Sequence, residues 1–236
     1  MRDDAARFTV ISAGAAQSVV VRIAEAMRRE IGDVSATFGA VGAQKARLLA
    51  GEPADVVVLT RALIEQLARE GHLVEGSRAD LGGVGLGVAV RRGDTRPDVG
   101  TVDKFRAALR EARTVSFPDP QLATAGIHLM TVLDRLGLRE ELAVRLRPFP
   151  NGNAAMTALA RSEERGQLGI TMMTEIKPLS GVELVAPLPS EIQSTTIYSA
   201  AVATRAIHPD RAREFVRRLT GPSARPVLMA AGFELS

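Results

Sequence analysis

Residues 54–67 read Ala54-Asp55-Val56-Val57-Val58-Leu59-Thr60-Arg61-Ala62-Leu63-Ile64-Glu65-Gln66-Leu67. Val56–Leu59 is an uninterrupted apolar run of strand length, the mark of a strand buried on both faces. Thr60 stands where an N-cap belongs, ahead of a helix carrying Leu63, Ile64 and Leu67. A strand buried on both faces needs parallel neighbours and covering helices, and the preceding sequence supplies them. Phe8–Ser12 reads as a strand and Gln17–Ile31 as a helix with Val20, Ile23, Ala24, Met27 and Ile31 on one stripe. Val34–Phe38 is the next strand, followed by a helix near Ala43–Ala50. This βαβαβα rhythm predicts a parallel sheet covered on both faces, with ligand sites at the carboxyl ends of its strands.

Beyond it the rhythm changes at Leu81–Val90, rich in glycine, and at the polar Arg91–Gly100. A second series follows: a helix near Val102–Ala112, a strand at Thr114–Phe117, a helix at Gly126–Leu136, a strand around Arg145–Phe149, a helix at Asn153–Ser162 and a strand at Leu168–Met172. Thr196–Thr204 reads as extended, and Pro209–Leu219 as an amphipathic helix with Ala212, Phe215, Val216 and Leu219 facing inward. Two α/β series joined by two extended segments predict two lobes. Residues 1–83 with 196–236 form one and 84–195 the other, each a mainly parallel sheet flanked by helices, with a ligand cleft and a double hinge crossing.

Composition narrows the function. The 236 residues include no cysteine, which excludes disulfides, thiolate metal sites and a cysteine nucleophile. The longest apolar runs fall far short of the roughly 20 residues that span a bilayer, so the chain is not membrane-embedded. Net charge is +3, but only Lys45, Lys104 and Lys177 among the 30 basic residues are lysines, and acids are interspersed with the arginines. With 3% aromatics there are too few rings for stacking platforms, so no nucleic-acid partner is expected. Met1–Arg7 carries no apolar h-region, so no secretory signal is expected within this chain. That leaves a cytoplasmic protein or one whose signal has been removed.

The glycines of Leu81–Gly87 lack dinucleotide-fingerprint spacing and read as a strand that another backbone approaches closely. His72, His128 and His208 show no metal-ligand spacing, and neither a metal nor a cofactor is implied. The strand-to-helix turns are more informative. Ser12-Ala13-Gly14-Ala15-Ala16-Gln17 and Gly39-Ala40-Val41-Gly42-Ala43-Gln44-Lys45 contain only small or polar residues, Val41 excepted, up to Lys45. Small side chains let backbone N–H groups at a helix start approach an anion, aided by the helix dipole. Lys45 lies one turn beyond Gly42. Farther on, Thr124-Ala125-Gly126-Ile127-His128 enters a helix, Asn153 reads as an N-cap, and Thr171–Glu175 ends a strand at the same expected edge.

In this order the segments resemble the molybdate-type periplasmic solute-binding proteins, of the type II two-lobed binding-protein class. Ala50-Gly51-Glu52-Pro53-Ala54-Asp55 with its apolar strand, Phe117-Pro118-Asp119-Pro120 with Thr124-Ala125-Gly126-Ile127, and Leu168-Gly169-Ile170 carry the resemblance across residues 8–205. It implies a monomeric clamshell that captures a small anion, in the periplasm, for the membrane subunit of an ABC-type transporter. Carried over, the oxyanion contacts fall near Ala15, near Val41 or Gly42, at Ala125, near Asn153 and at Met172. The family's two serines are missing in this register, although Ser12 is close by, and its tyrosine is Met172 here. With Gln17, Lys45, His128, Asn153 and Thr174 nearby, the expected ligand is a carboxylate, and Ser12, Gly14 and Thr124 complete the candidate set. The scaffold also resembles aconitate isomerase, where a 1,3-proton shift needs a base; Lys45, His128 and Glu175 are the candidates. A ligand-sensing domain is a third class, without a DNA-binding helix pair beside the lobes.

Overall fold

The computed structural model describes residues 7–235. From the N-terminus the elements are β1 (Phe8–Ala13), α1 (Gln17–Ala26), α2 (Arg28–Ile31), β2 (Val34–Gly39), α3 (Val41–Leu49), β3 (Val56–Thr60), α4 (Arg61–Arg69) and β4 (Ala79–Val84). Then come β5 (Leu86–Arg91), α5 (Val102–Glu111), β6 (Thr114–Pro118), α6 (Thr124–Arg135), α7 (Arg139–Leu142), β7 (Leu146–Phe149), α8 (Gly152–Arg161) and β8 (Gln167–Met172). The last are α9 (Met173–Ile176), β9 (Val182–Pro187), β10 (Thr196–Val202), α10 (Pro209–Thr220) and α11 (Arg225–Ala231). They divide into two compact α/β units, one up to Gly83 together with Thr196 onward, the other Val84–Thr195.

In the first unit the strand order is β2-β1-β3-β10-β4. β1 pairs in parallel with β2 and β3, whereas β10 runs antiparallel to β3, so the sheet is mixed rather than wholly parallel. Val56, Val57, Val58 and Leu59 are fully buried, as an uninterrupted apolar strand at the centre of a covered sheet must be. Val20 and Ile23 of α1 and Ala212, Phe215, Val216 and Leu219 of α10 pack the core, and the Phe8 and Phe215 rings meet at 5.4 Å. The expected helix Gln17–Ile31 is broken at Met27, whose φ of −93° and ψ of 3° end α1 before the short α2. Thr60 occupies the N-cap position of α4 without a side-chain hydrogen bond, so its hydroxyl caps nothing.

Asp55 ties this unit together. Its side chain is buried and accepts from the Thr9 N–H (2.8 Å), the Thr9 hydroxyl (3.0 Å) and the His208 N–H at the start of α10 (2.8 Å). A carboxylate oxygen replaced by an amide NH2 would face donors with a donor. Asp55→Asn is therefore expected to destabilise the protein by about 2 kcal/mol, read as a lower urea midpoint at unchanged slope.

The second unit has the order β7-β6-β8-β5-β9. β7, β6 and β8 form a parallel trio, and β5 is antiparallel to both β8 and β9. Ala89, Ala155, Met156, Leu159, Ile176 and Val182 make one core cluster beneath α8 and α9. The glycine-rich Leu81–Gly87 is two strands parted at Gly85. A Cβ on Gly82 would lie 2.6 Å from the Glu234 carbonyl oxygen, and one on Gly87 would lie 2.6 Å from Leu184 Cδ1. These glycines permit close packing, as read. No helix of the described residues is long and apolar enough to cross a membrane.

Candidate functional site

The candidate residues fall into two clusters, one in each unit. In the first unit, β1 and β2 are parallel neighbours in the register Ser12↔Phe38 and Ala13↔Gly39, so the turns that follow them emerge side by side. The β1–α1 turn brings Ser12, Gly14, Ala15 and Gln17 together, and the β2–α3 turn brings Val41, Gly42 and Lys45. Gly14, Ala15 and Ala16 are buried in a single 3-10 turn that feeds α1. Neither α1 nor α3 has a side-chain hydrogen bond at its N-cap, where Ala16 and Ala40 stand. The first N–H groups of a helix need partners, and alanine supplies none; the 3-10 turn accepts from Gln17 N–H through the Gly14 carbonyl, while α3 has no such lead-in.

The side chains differ in availability. The Ser12 hydroxyl is fully buried and donates to the Ala13 carbonyl at 3.0 Å. Ser18, which the sequence reading passed over, has a buried hydroxyl with no partner among the described residues. Gln44 was also passed over. It is 3% exposed, accepts from the Thr37 hydroxyl at 3.1 Å, and places its Nε2 2.6 Å from where a Cβ on Gly39 would stand. Gly39 thus makes room for an amide over the β2–α3 turn; a glycine five residues before a glutamine was the only signal. Lys45 is half-buried and has no hydrogen-bond or ion-pair partner among the described residues.

In the second unit the parallel trio β7-β6-β8 aligns three such turns. After β6, Asp119 Oδ1 accepts from the N–H groups of Gln121 (2.7 Å) and Leu122 (2.8 Å), folding the loop that delivers Thr124 and Ala125 to the start of α6. Ala123, at the N-cap of α6, offers no side-chain bond. His128 lies past the first turn of α6 and its Nε2 is 2.8 Å from the Ile192 carbonyl oxygen, a contact that engages it structurally. After β7, Asn151 and not Asn153 is the N-cap of α8, its Oδ1 accepting from Ala154 N–H at 2.9 Å. Asn151 is extended (φ −159°, ψ 172°), as a capping residue must be, whereas Asn153 is already inside the helix and half-buried.

The third turn, after β8, holds Met172, Thr174 and Glu175, all buried. The Thr174 hydroxyl has no partner among the described residues. Glu175 accepts from the Thr171 hydroxyl at 2.5 Å and from the backbone N–H groups of Met172 and Gly152. Burial pushes its carboxyl up to about 7, and those three hydrogen bonds pull the other way without cancelling it. A Cβ on Gly152 would lie 1.9 Å from Glu175 Oε2 and 2.2 Å from Thr171 Oγ1, so only glycine leaves room for this carboxyl at the start of α8.

Known proteins give this arrangement its context. The aconitate isomerase of a Pseudomonas species is 29% identical over 234 residues, 96% of this chain and 87% of that protein. The periplasmic molybdate-binding protein of Azotobacter vinelandii superposes with a TM-score of 0.80 at 21% identity, covering 98% of this chain and 100% of that one. The sulfate-binding protein of Mycobacterium tuberculosis does so with a TM-score of 0.71 at 18% identity, covering 96% and 86%. These likenesses fit the two α/β units to the type II binding-protein fold. Since the sequence profile of the bacterial extracellular solute-binding proteins matches residues 8–234, the chain belongs to that family.

Proposed function

We propose that the protein captures a small anion, a carboxylate in preference to a tetrahedral metal oxyanion, with donors from its strand-to-helix turns, and delivers it to the membrane subunit of an ABC-type transporter. The observation that carries this reading is Lys45, half-buried and without a partner among the described residues, one turn beyond the uncapped start of α3. A lysine held in that way lacks its counter-charge, and an anion supplies it. In the same unit the neutral donors are the uncapped N–H groups of α3 and the Ser18 hydroxyl, and the second unit carries donors of the same kind in the uncapped start of α6 and the Thr174 hydroxyl, neither hydroxyl having a partner among the described residues. Methionine where the resembled family has tyrosine, and lysine beside the glycine turn, favour a carboxylate.

The test is calorimetric titration against molybdate, tungstate, sulfate, citrate and both aconitate isomers. A carboxylate is expected to bind tightest, and Lys45→Ala to weaken it about tenfold or more, the worth of a desolvated charge-assisted hydrogen bond. Equal affinity in the variant would remove Lys45 from the site.

A second reading is supported by the 29% identity to aconitate isomerase over nearly the whole chain. Glu175, with its carboxyl near neutrality, is the group whose proton affinity suits a 1,3-proton shift. Interconversion of cis- and trans-aconitate by the purified protein would establish it.

A further inference from the structure

Glu175 occupies a place that the proposed site would otherwise offer to its ligand. The backbone N–H groups of Gly152, at the start of α8, and Met172, at the end of β8, both point to its carboxyl. These are the β7–α8 and β8–α9 turns that also carry Asn153 and Thr174. The chain has thus seated an anion of its own on the start of α8, and glycine at 152 is what allows it. A second anion brought to the same turns meets the first, and the cheapest relief is to neutralise the buried one.

We propose that anion capture is proton-coupled: Glu175 takes up a proton from solvent as an anion docks beside the β7–α8 and β8–α9 turns, and releases it when the anion leaves. This rests on the anion-binding reading above. Among the described residues, no other charge on the elements packed against α9 serves as the partner. Of the elements packed against α9, β8 has no ionisable side chain, and Arg91 of β5 is paired with Asp94. Glu183 of β9 lies beside Arg92, while Arg161 of α8 and Lys177 just after α9 are exposed. Burial and the three hydrogen bonds alone account for the state of Glu175.

The experiment is titration calorimetry with molybdate, which stays a dianion throughout, and with citrate, whose own last ionisation is measured apart and subtracted from affinity and proton count, between about pH 6 and pH 9, in buffers of different ionisation enthalpy. For the wild type the affinity is expected to fall about fivefold as pH rises through 7, with net proton uptake near neutrality. Glu175→Gln is expected to bind with a pH-independent affinity close to the wild type's at low pH, and without that uptake. Thr171→Val keeps the carboxyl, removes the donor at 2.5 Å, and is expected to move the uptake to higher pH. Binding that takes up no proton in the wild type, or the same number in Glu175→Gln, overturns the coupling and leaves the anion-binding reading standing. If neither anion nor the wider panel binds the wild type, both fall.

Discussion

Gly126→Ala is expected to cost about 3 kcal/mol or more of stability and to abolish tight anion binding, because the added methyl has nowhere to go. An ideal Cβ at this position would stand 2.2 Å from the Asp119 carbonyl oxygen and 2.3 Å from that of Pro118. Both obstacles are backbone, so no rotamer change relieves them. Either α6 retreats from the turn or the turn opens, and the turn is already held by Asp119 Oδ1 on Gln121 and Leu122. Retreat displaces Thr124 and Ala125, the donors this turn brings to the proposed site. Gly137→Ala is the control. Gly137 has a φ of 67° but nothing within 4 Å of its Cβ position, so alanine there is expected to cost only about 1 kcal/mol and leave binding unchanged. Urea unfolding and calorimetric titration of both variants separate the cases: equal losses would mean that backbone strain, and not the close approach, is what Gly126 relieves.

The parts of this fold that could be read from sequence are those with a strong local period. Val56–Leu59 declares itself because four consecutive apolar β-formers suit only a strand covered on both faces. α10 declares itself because Ala212, Phe215, Val216 and Leu219 fall on one stripe. β9 was not read: it is an edge strand whose middle residues are only half-buried, so its alternation is faint. α11 was missed because Pro222 and Pro226 look like breakers, yet Pro226 sits in the first turn of α11, where a proline costs no hydrogen bond. The break at Met27 left no local mark either, since the apolar stripe runs on through it to Ile31.

For the candidate site, the small-residue turns were legible because glycine and alanine after a strand are visible in one dimension. The partnerships were not. Asn151 and Asn153 are equally good caps by composition, and only the backbone decides that Asn151 is the extended one. Gln44 over Gly39 and Glu175 against Gly152 are pairings of a side chain with the absence of one, made across a fold. A glycine 23 positions before a glutamate has no sequence signature. Glu175 could be chosen as a candidate base from its type and place, but its buried cradle could not be foreseen.

That cradle sets the second large expectation, which concerns stability and needs no ligand. An ordinary glutamate titrates near 4.5 in the unfolded chain, whereas burial raises Glu175 to about 7 in the folded one. The folded state therefore binds more protons than the unfolded state between those values, and this carboxyl makes stability fall as pH rises through that window, levelling above 7. The shift is worth about 3 kcal/mol over the full window, most of it between pH 5 and pH 8. Other carboxylates act oppositely. Asp80, although partly desolvated, is held below its ordinary value by hydrogen bonds from Ser199, Arg61 and Arg78, so its contribution is lost on acidification. The comparison that isolates Glu175 is between the wild type and Glu175→Gln, each unfolded in urea at both pH values. Glutamine will carry some constant cost, since its NH2 group must face donors where a carboxylate accepted. That cost cancels in the difference between pH values, where the variant is expected to gain about 2 to 3 kcal/mol on the wild type from pH 5 to pH 8. A gap that stays constant would mean that the buried carboxyl titrates like an exposed one. In that event the hydrogen bonds from Thr171, Met172 and Gly152 hold its charge as well as water does, and the proton coupling proposed for the site loses its source.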